Sequence, residues 1–274
     1  MCIFFCNFAG RVRQKGKEYK QTMTSIAIEC STDRCTAALL KDGVVIAEKI
    51  NQSTTNHAGV MPVFVQELIA ESQKLIAESQ EQRAESQETV EAIVLSEGPG
   101  SYTGLRIGAS LAKGLCYGMD IPLIAVPTLA VIAQAAIRTQ QSEVSKQALY
   151  CPMIDARRME VYCALYDADL NIVQPLEAKV IDEHSWQEVL DEHIIYFCGN
   201  GADKCKAVIS HPNARWIDGI APSAAEAGRL AERTDVRGQI RVIEGKEIAY
   251  FEPNYLKEFI AAPAHIKGLF SAHS

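Results

Sequence analysis

The first part of the chain changes from short apolar runs to apolar residues at helical spacing. The runs are separated by polar residues and by Asp42-Gly43, a dipeptide typical of hairpin turns. From about His57 onward, apolar residues recur every three to four positions, which predicts a helix. Three antiparallel strands are therefore predicted ahead of the first long helix, at residues 25–30, 35–40 and 44–50.

The rest of the chain continues as alternating strands and helices. We predict strand, helix, strand and helix at residues 90–95, 102–117, 121–126 and 128–138. The order β-β-β-α-β-α-β-α is typical of the ribonuclease H-like module of actin-like and sugar-kinase proteins. After a polar linker, a weaker copy follows, with units at 148–155, 160–166, 194–198, 202–210, 216–219 and 223–233. The prediction is an α/β, actin-like fold with a duplicated module and a reduced second lobe, enclosing a cleft where ligands usually bind.

We predict lobes at residues 23–140 and 147–258 and a short tail at 259–274. Residues 1–22 carry a basic stretch after an apolar one, the reverse of a secretory signal. They are predicted to be a disordered tail or the product of a start codon upstream of Met23, with a membrane-touching or targeting tail as the alternative. The tetrapeptide AESQ occurs three times with a period of seven from Ala70. This repeat predicts a solvated helical extension, with a coiled-coil seam as the alternative.

Composition narrows the function classes. Hydrophobic residues make up 48% and charged residues 22% of the 274 residues, as in globular proteins. The net charge of -7 disfavours direct binding to a phosphate backbone, so any nucleic acid requires a partner. No apolar span is long enough for a membrane helix. The nine cysteines include no CxxC pair, which predicts buried, reduced thiols and a cytoplasmic protein.

The glycine-rich stretch from Ser96 to Gly114 contains the strongest motif. A glycine turn entering a helix can bind an anion through free N–H groups and the positive end of the helix. The Walker template lacks its Gly-Lys-Ser/Thr ending, and the dinucleotide template has Thr103 in place of its third glycine. The candidate nucleotide or anion loop consists of Ser31, Thr32, Gly98, Gly100, Ser101, Thr103 and Arg157.

Small residues also recur along the helix predicted after this turn. Four glycines in one helix cost free energy, so they indicate a packing role. The helix could pack on its own sheet or on a helix of another subunit, or it could bind phosphate at its start. The small residues are Gly104, Gly108, Ala109, Ala112, Gly114 and Gly118.

Three segments together resemble the TsaB family, the scaffold subunit of bacterial tRNA threonylcarbamoyladenosine synthesis. They are Gly98 to Val126, Ser25 to Leu39 and Asp155 to Asp167. The resemblance implies an actin-like fold, no catalysis by the chain alone, and a homodimer or a heterodimer with the catalytic subunit TsaD. It further implies association with the ATPase TsaE, contact with tRNA only through the complex, and no cofactor of its own, with ATP or ADP at the complex interface.

The resemblance places the partner interface on the first two helices. The expected interface residues are His57, Met61, Gly104, Arg106, Gly108 and Ala112. On this expectation, Gly108→Leu abolishes complex formation and leaves the fold nearly intact.

The chain departs from the family pattern at the end of the first strand, where Glu29-Cys30-Ser31 replaces the usual Asp-Thr-Ser. The longer carboxylate and the lost hydroxyl weaken any role of this loop in binding phosphate or magnesium. An acidic cluster of Glu29, Asp33 and Asp155 at facing strand ends is the feature that an ATP-dependent phosphotransferase would need, and this function stays an alternative.

Metal chemistry is disfavoured by the histidine spacing. The catalytic relative binds its metal through two histidines four apart on the first helix, whereas here His57 is followed by Met61. We therefore predict no metal site, and a metallopeptidase-like glycoprotease is the disfavoured alternative.

Overall fold

The structure is a computed structural model that describes residues 12–14, 17–19, 23–51, 56–80, 90–140, 148–233 and 235–256. Two short strands near the start, β1 (Val12–Gln14) and β2 (Lys17–Tyr19), pair with each other in antiparallel orientation. Two larger sheets and five α-helices follow. None of the helices in these ranges is long and apolar enough to cross a membrane.

The first sheet has six strands in the order β13-β7-β6-β3-β4-β5. Strands β3, β4 and β5 form an antiparallel meander, and β6 and β7 extend the sheet in parallel from β3. The strands are β3 (Thr24–Glu29), β4 (Cys35–Lys41), β5 (Val44–Asn51), β6 (Ala92–Ser96), β7 (Leu123–Val126) and β13 (Arg241–Ile243). The central strands are apolar on both faces because both faces are covered.

The second sheet has five strands in the order β10-β9-β8-β11-β12. It repeats the scheme of the first, with an antiparallel meander continued by two parallel strands. The strands are β8 (Leu149–Asp155), β9 (Glu160–Tyr166), β10 (Ile172–Val180), β11 (Ile195–Cys198) and β12 (Ala214–Ile217).

The helices pack on the two sheets in three hydrophobic cores. One core lies between the first sheet and the pair α1 (His57–Gln80) and α2 (Tyr102–Met119). A second core joins both sheets through α3 (Thr128–Thr139) and α5 (Ala224–Ala231), which lie between them. The third core holds α4 (Gln187–Glu192) against the second sheet. A 3₁₀ helix, Gly245–Tyr250, follows β13 and packs on α2.

The predicted actin-like fold with a duplicated module and a reduced second copy is confirmed. The division into lobes at residues 140 and 147 stays a prediction. Helices pack across this division, because α3 of the first half contacts β8, and α5 of the second half contacts β3 and β4. Helix α1 contains the first two AESQ copies, and the third lies outside the described residues, as do most of residues 1–22 and all of 259–274.

Candidate functional site

The glycine-rich turn joins β6 to α2 and packs on the hairpin between β3 and β4. Gly98 has φ +112°, a value that glycine adopts without the strain a side chain would impose. Ser101 is the N-cap residue of α2, and its hydroxyl accepts a hydrogen bond from the Gly104 N–H at 3.3 Å. The Ser101 N–H donates to the Ser31 carbonyl at 2.7 Å. The turn is therefore held by bonds within the chain.

Three of the predicted interface residues on α2 face the first sheet of the same chain. A Cβ on Gly104 would lie 2.0 Å from the Cys30 carbonyl oxygen, and a Cβ on Gly108 would lie 3.1 Å from Leu95. Ala112 is fully buried. Contact of these residues with a partner stays a prediction, whereas within the chain their small side chains let α2 approach its own sheet. A Gly108→Leu change would clash with the core instead of leaving the fold intact.

The predicted interface residues of α1 also point inward. Met61 is fully buried in the core beneath α1 and α2. His57 is 9% exposed, and its Nε2 lies 3.1 Å from the Asp33 carbonyl oxygen, which anchors the start of α1 to the hairpin between β3 and β4. Neither side chain is available to a partner.

Arg106 is the one predicted interface residue that is exposed, with its guanidinium 4.3 Å from the centre of the Tyr102 ring. The same face of α2 exposes Ser110, Gly114 and Tyr117, and the Tyr117 side chain is 90% exposed. Among the described residues, no atom outside the neighbouring backbone of α2 lies within 4 Å of a Cβ built on Gly114. We call these four residues the α2 outer face.

Helix α1 packs beside α2 and exposes an apolar residue of its own, Val63, which is 49% exposed. Sequence reasoning missed the α2 outer face because it followed glycine spacing alone. The angular position of each residue at about 100° per residue was the available indication.

The candidate anion loop is only partly assembled. Ser31, Gly98, Gly100 and Ser101 lie together: a Cβ on Gly100 would lie 2.3 Å from the Ser31 carbonyl oxygen, and the Gly98 N–H donates to the Thr128 hydroxyl at 3.0 Å. The remaining members are the buried Thr32, the exposed Thr103 and the exposed Arg157 in the turn between β8 and β9. Because Gly98, Ser101 and Gly104 donate their N–H groups within the chain, fewer donors remain for a phosphate.

The Glu29 carboxyl lies beside this loop in a fully buried position and accepts a hydrogen bond from the Ser31 N–H. Burial raises the pKa of Glu29, against the opposing effect of hydrogen bonds from Ser31 and Ser96. Because magnesium binds the ionised carboxylate, a raised pKa makes Glu29 a weaker ligand for that ion.

The other two acidic residues of the predicted cluster are exposed. Asp155 forms an ion pair with Lys204 at 2.5 Å, and Asp33 lies in the loop after β3. Although burial acts to raise the pKa of Asp155, its bonds with Lys204 and the Arg157 N–H lower it overall. Within the residues that the structure describes, no three His, Cys, Asp or Glu side chains gather at a metal-binding distance.

Comparison with known proteins decides the family. The profile of a family described as "TsaD: tRNA N6-adenosine threonylcarbamoyltransferase" matches residues 44–262. Three relatives are named "tRNA threonylcarbamoyladenosine biosynthesis protein TsaB". The Bacillus subtilis protein is 32% identical over 68% of this chain and 75% of its own length. The proteins of Haemophilus influenzae and Escherichia coli are 29% and 34% identical over 64% and 54% of this chain.

The chain belongs to the TsaB family. Its alignment spans 64% of the Haemophilus influenzae protein and 57% of the Escherichia coli protein, less than two thirds of either. The fold is shared with a solved structure titled "YeaZ from Pseudomonas aeruginosa", with a TM-score of 0.66 and 25% identity over 85% of this chain and all of that one. A second Pseudomonas aeruginosa structure, described as similar to peptidase YEAZ, gives a TM-score of 0.67 at 22% identity over 86% of this chain and 100% of its own.

Proposed function

We propose that this chain acts in the biosynthesis of tRNA threonylcarbamoyladenosine as a subunit without catalytic groups of its own. The observation that carries the proposal is membership in the TsaB family, whose relatives bear the name of that pathway. The histidine spacing agrees with it, since His57 is followed four residues later by the buried Met61 instead of a second histidine.

The partner in this proposal is the catalytic subunit TsaD, which docks on the α2 outer face and the adjacent surface of α1. Tyr117 and Val63 are exposed apolar side chains on neighbouring helices, and Gly114 leaves open space through which another backbone can approach. A large aromatic side chain beside a close backbone approach is typical of the centre of a protein interface.

Docking favours the active arrangement of TsaD because this chain contacts that arrangement more strongly than any other. In the isolated protein the same surface pairs two copies of the chain. The proposal further includes TsaE and tRNA, which join through the assembly, ATP or ADP at its interface, and a cytoplasmic location.

Reconstitution of tRNA modification from purified components, with and without this chain, tests the role. We expect little product in its absence. Equal product yields with and without the chain would refute the proposal.

A surface variant tests the docking site. Because Tyr117 is almost fully exposed, Tyr117→Glu should leave the unfolding midpoint unchanged and weaken co-elution with TsaD by at least about tenfold. The matched control is Val180→Glu, which changes a residue that is 69% exposed on β10 of the second sheet and should bind as the unaltered chain does. Equal weakening by both variants would contradict the assigned surface.

A further inference from the structure

Two cysteines lie opposite each other at the open end of the hairpin between β3 and β4. The antiparallel register pairs Glu29 with Thr36, so the next pair across the two strands is Cys30 and Cys35. Both side chains belong to the core beneath α1 and α2, which puts them on the same face of the sheet. Opposed residues of antiparallel strands have Cα atoms about 4.5 to 5.5 Å apart. That separation falls within the range of about 4.4 to 6.8 Å found for disulfides.

The opposed positions let the two thiols interact. A hydrogen bond with the Cys30 thiol is the largest cause acting on Cys35 and lowers its pKa to about 6. The His57 ring and a hydrogen bond from Asn51 act in the same direction, whereas burial and the Glu29 carboxylate oppose it. The pKa of Cys30 is raised by the same hydrogen bond and by burial. One sulfur therefore has the character of a nucleophile, and its neighbour keeps a proton.

We propose that Cys30 and Cys35 are a site of reversible disulfide formation, with a hydroperoxide as the oxidant. The Cys35 thiolate attacks one oxygen of the hydroperoxide, the O–O bond breaks, and the departing oxygen takes a proton to form water or an alcohol. The Cys35 sulfenic acid is then attacked by the sulfur of Cys30, which loses its proton as the S–O bond breaks and water leaves. In sum, two thiols are oxidised to one disulfide and one hydroperoxide is reduced.

Another contacting pair in the chain lacks these features. Cys151 hydrogen-bonds with Cys163 in the core of the second sheet, where the register pairs Cys163 with Met153, so the two cysteines are diagonal neighbours. Burial raises the pKa of Cys151 as its largest effect, and no histidine acts on it. This second pair serves as the internal comparison, since both of its cysteines are buried and burial raises the pKa of Cys151.

The position of Cys30 and Cys35 links their oxidation to helices α1 and α2. The Cys30 carbonyl lies beneath Gly104 of α2, and His57 at the start of α1 contacts the carbonyl of Asp33 in the same hairpin. A bond that draws Cys30 towards Cys35 shifts the hairpin that contacts both Gly104 of α2 and His57 of α1. We expect the disulfide to weaken co-elution with TsaD, and this expectation rests on the proposed function. Formation of the disulfide does not depend on any partner.

The chain's own trypsin sites give a direct test. Arg34 separates the two cysteines, so trypsin places Cys30 in the peptide 21–34 and Cys35 in the peptide 35–41. The full chain is treated with hydrogen peroxide, its remaining thiols are blocked with N-ethylmaleimide, and it is digested without reductant. We expect these two peptides to be linked at a peroxide dose that leaves Cys151 and Cys163 blocked, and to separate on addition of dithiothreitol.

Variants identify the order of attack. Cys30→Ser should leave a Cys35 sulfenic acid that dimedone captures, and Cys35→Ser should leave Cys30 unmodified at the same dose. The control Cys163→Ala should form the linked peptides as the unaltered chain does. Failure of the linked pair to appear, its appearance only after Cys151 has reacted, or a link from Cys30 or Cys35 to another cysteine would overturn the proposal. Linked peptides with unchanged TsaD binding would leave the disulfide standing and refute only its effect on docking.

Discussion

Gly104→Ala measures how closely α2 is packed on its own sheet. The added methyl carbon would lie 2.0 Å from the Cys30 carbonyl oxygen, which is 3.4 - 2.0 = 1.4 Å short of an ordinary contact. The atom it meets is backbone at the end of β3, so no side-chain rotation relieves the overlap and α2 itself must move. Forcing an extra carbon into a packed core costs about 1 to 3 kcal/mol, of which helix propensity returns about 0.5 to 1 kcal/mol. We expect a net loss of up to about 2.5 kcal/mol.

Gly114→Ala is the matched control on the same helix. In the part of the chain that the structure describes, its added carbon meets no atom within 4 Å beyond the backbone of α2 itself, so only the gain in helix propensity remains, about 0.5 to 1 kcal/mol. Urea unfolding followed by far-ultraviolet circular dichroism should place the midpoint of Gly104→Ala below that of the unaltered chain and the midpoint of Gly114→Ala above it. If the two variants have equal midpoints, the conclusion that the small residues at 104 and 108 serve internal packing is refuted.

Three further substitutions test buried charge. Burial raises the pKa of Glu29 above its ordinary value of 4.5, so the folded state is most favoured below that pH and loses stability as the pH rises through the folded-state pKa. Glu29→Gln should remove this loss, and melting temperatures that fall with pH as in the unaltered chain would contradict it. Arg241→Ala should cost about 1 to 3 kcal/mol because the Glu97 side chain, 8% exposed, loses the Arg241 Nε donor at 3.0 Å; urea unfolding measures this, with Arg241→Lys as the milder control. His57→Gln should raise the pKa of Cys35, because the His57 ring helps to lower the pKa of that thiol; the ultraviolet absorbance of the thiolate against pH measures it, and an unchanged titration would remove the ring from the explanation.

The order of the first three strands and of α1, β6, α2, β7 and α3 was predictable because turn and capping residues separate the apolar runs. Asp42-Gly43 closes the hairpin between β4 and β5, and Ser101 caps α2 at the start of the predicted helix. Strands β10 and β13, helix α4 and the 3₁₀ helix after β13 were not predicted. In β13, three residues paired to the edge of a distant sheet carry no local pattern. The place of β13 and of the 3₁₀ helix after it depends on contacts such as Lys113 Nζ with the Ala249 carbonyl, at 2.6 Å, which join residues 136 positions apart.

Most of the interface residues expected on α2 lie on the side that faces the first sheet, and the partner interface itself stays a prediction. Successive residues of a helix differ by about 100°, so Gly104, Gly108 and Ala112 advance by only about 40° each and share one face. Gly114 lies about 280° from Gly104 and faces outward. The sequence interpretation grouped all four residues as one stripe without using these angles. Which side of α2 is buried depends on the position of the first sheet, and no residue of α2 encodes that position by itself.

The two halves of the chain exchange helices. Helix α3 comes from the first half and covers β8, whereas α5 comes from the second half and covers β3 and β4. A gene cut between Gln140 and Ala148 would therefore yield two polypeptides, each with an uncovered sheet and a helix shaped for the other. Expressed singly, each fragment should aggregate, and expressed together they should reassemble, which makes this fold a natural scaffold for a split-protein reporter.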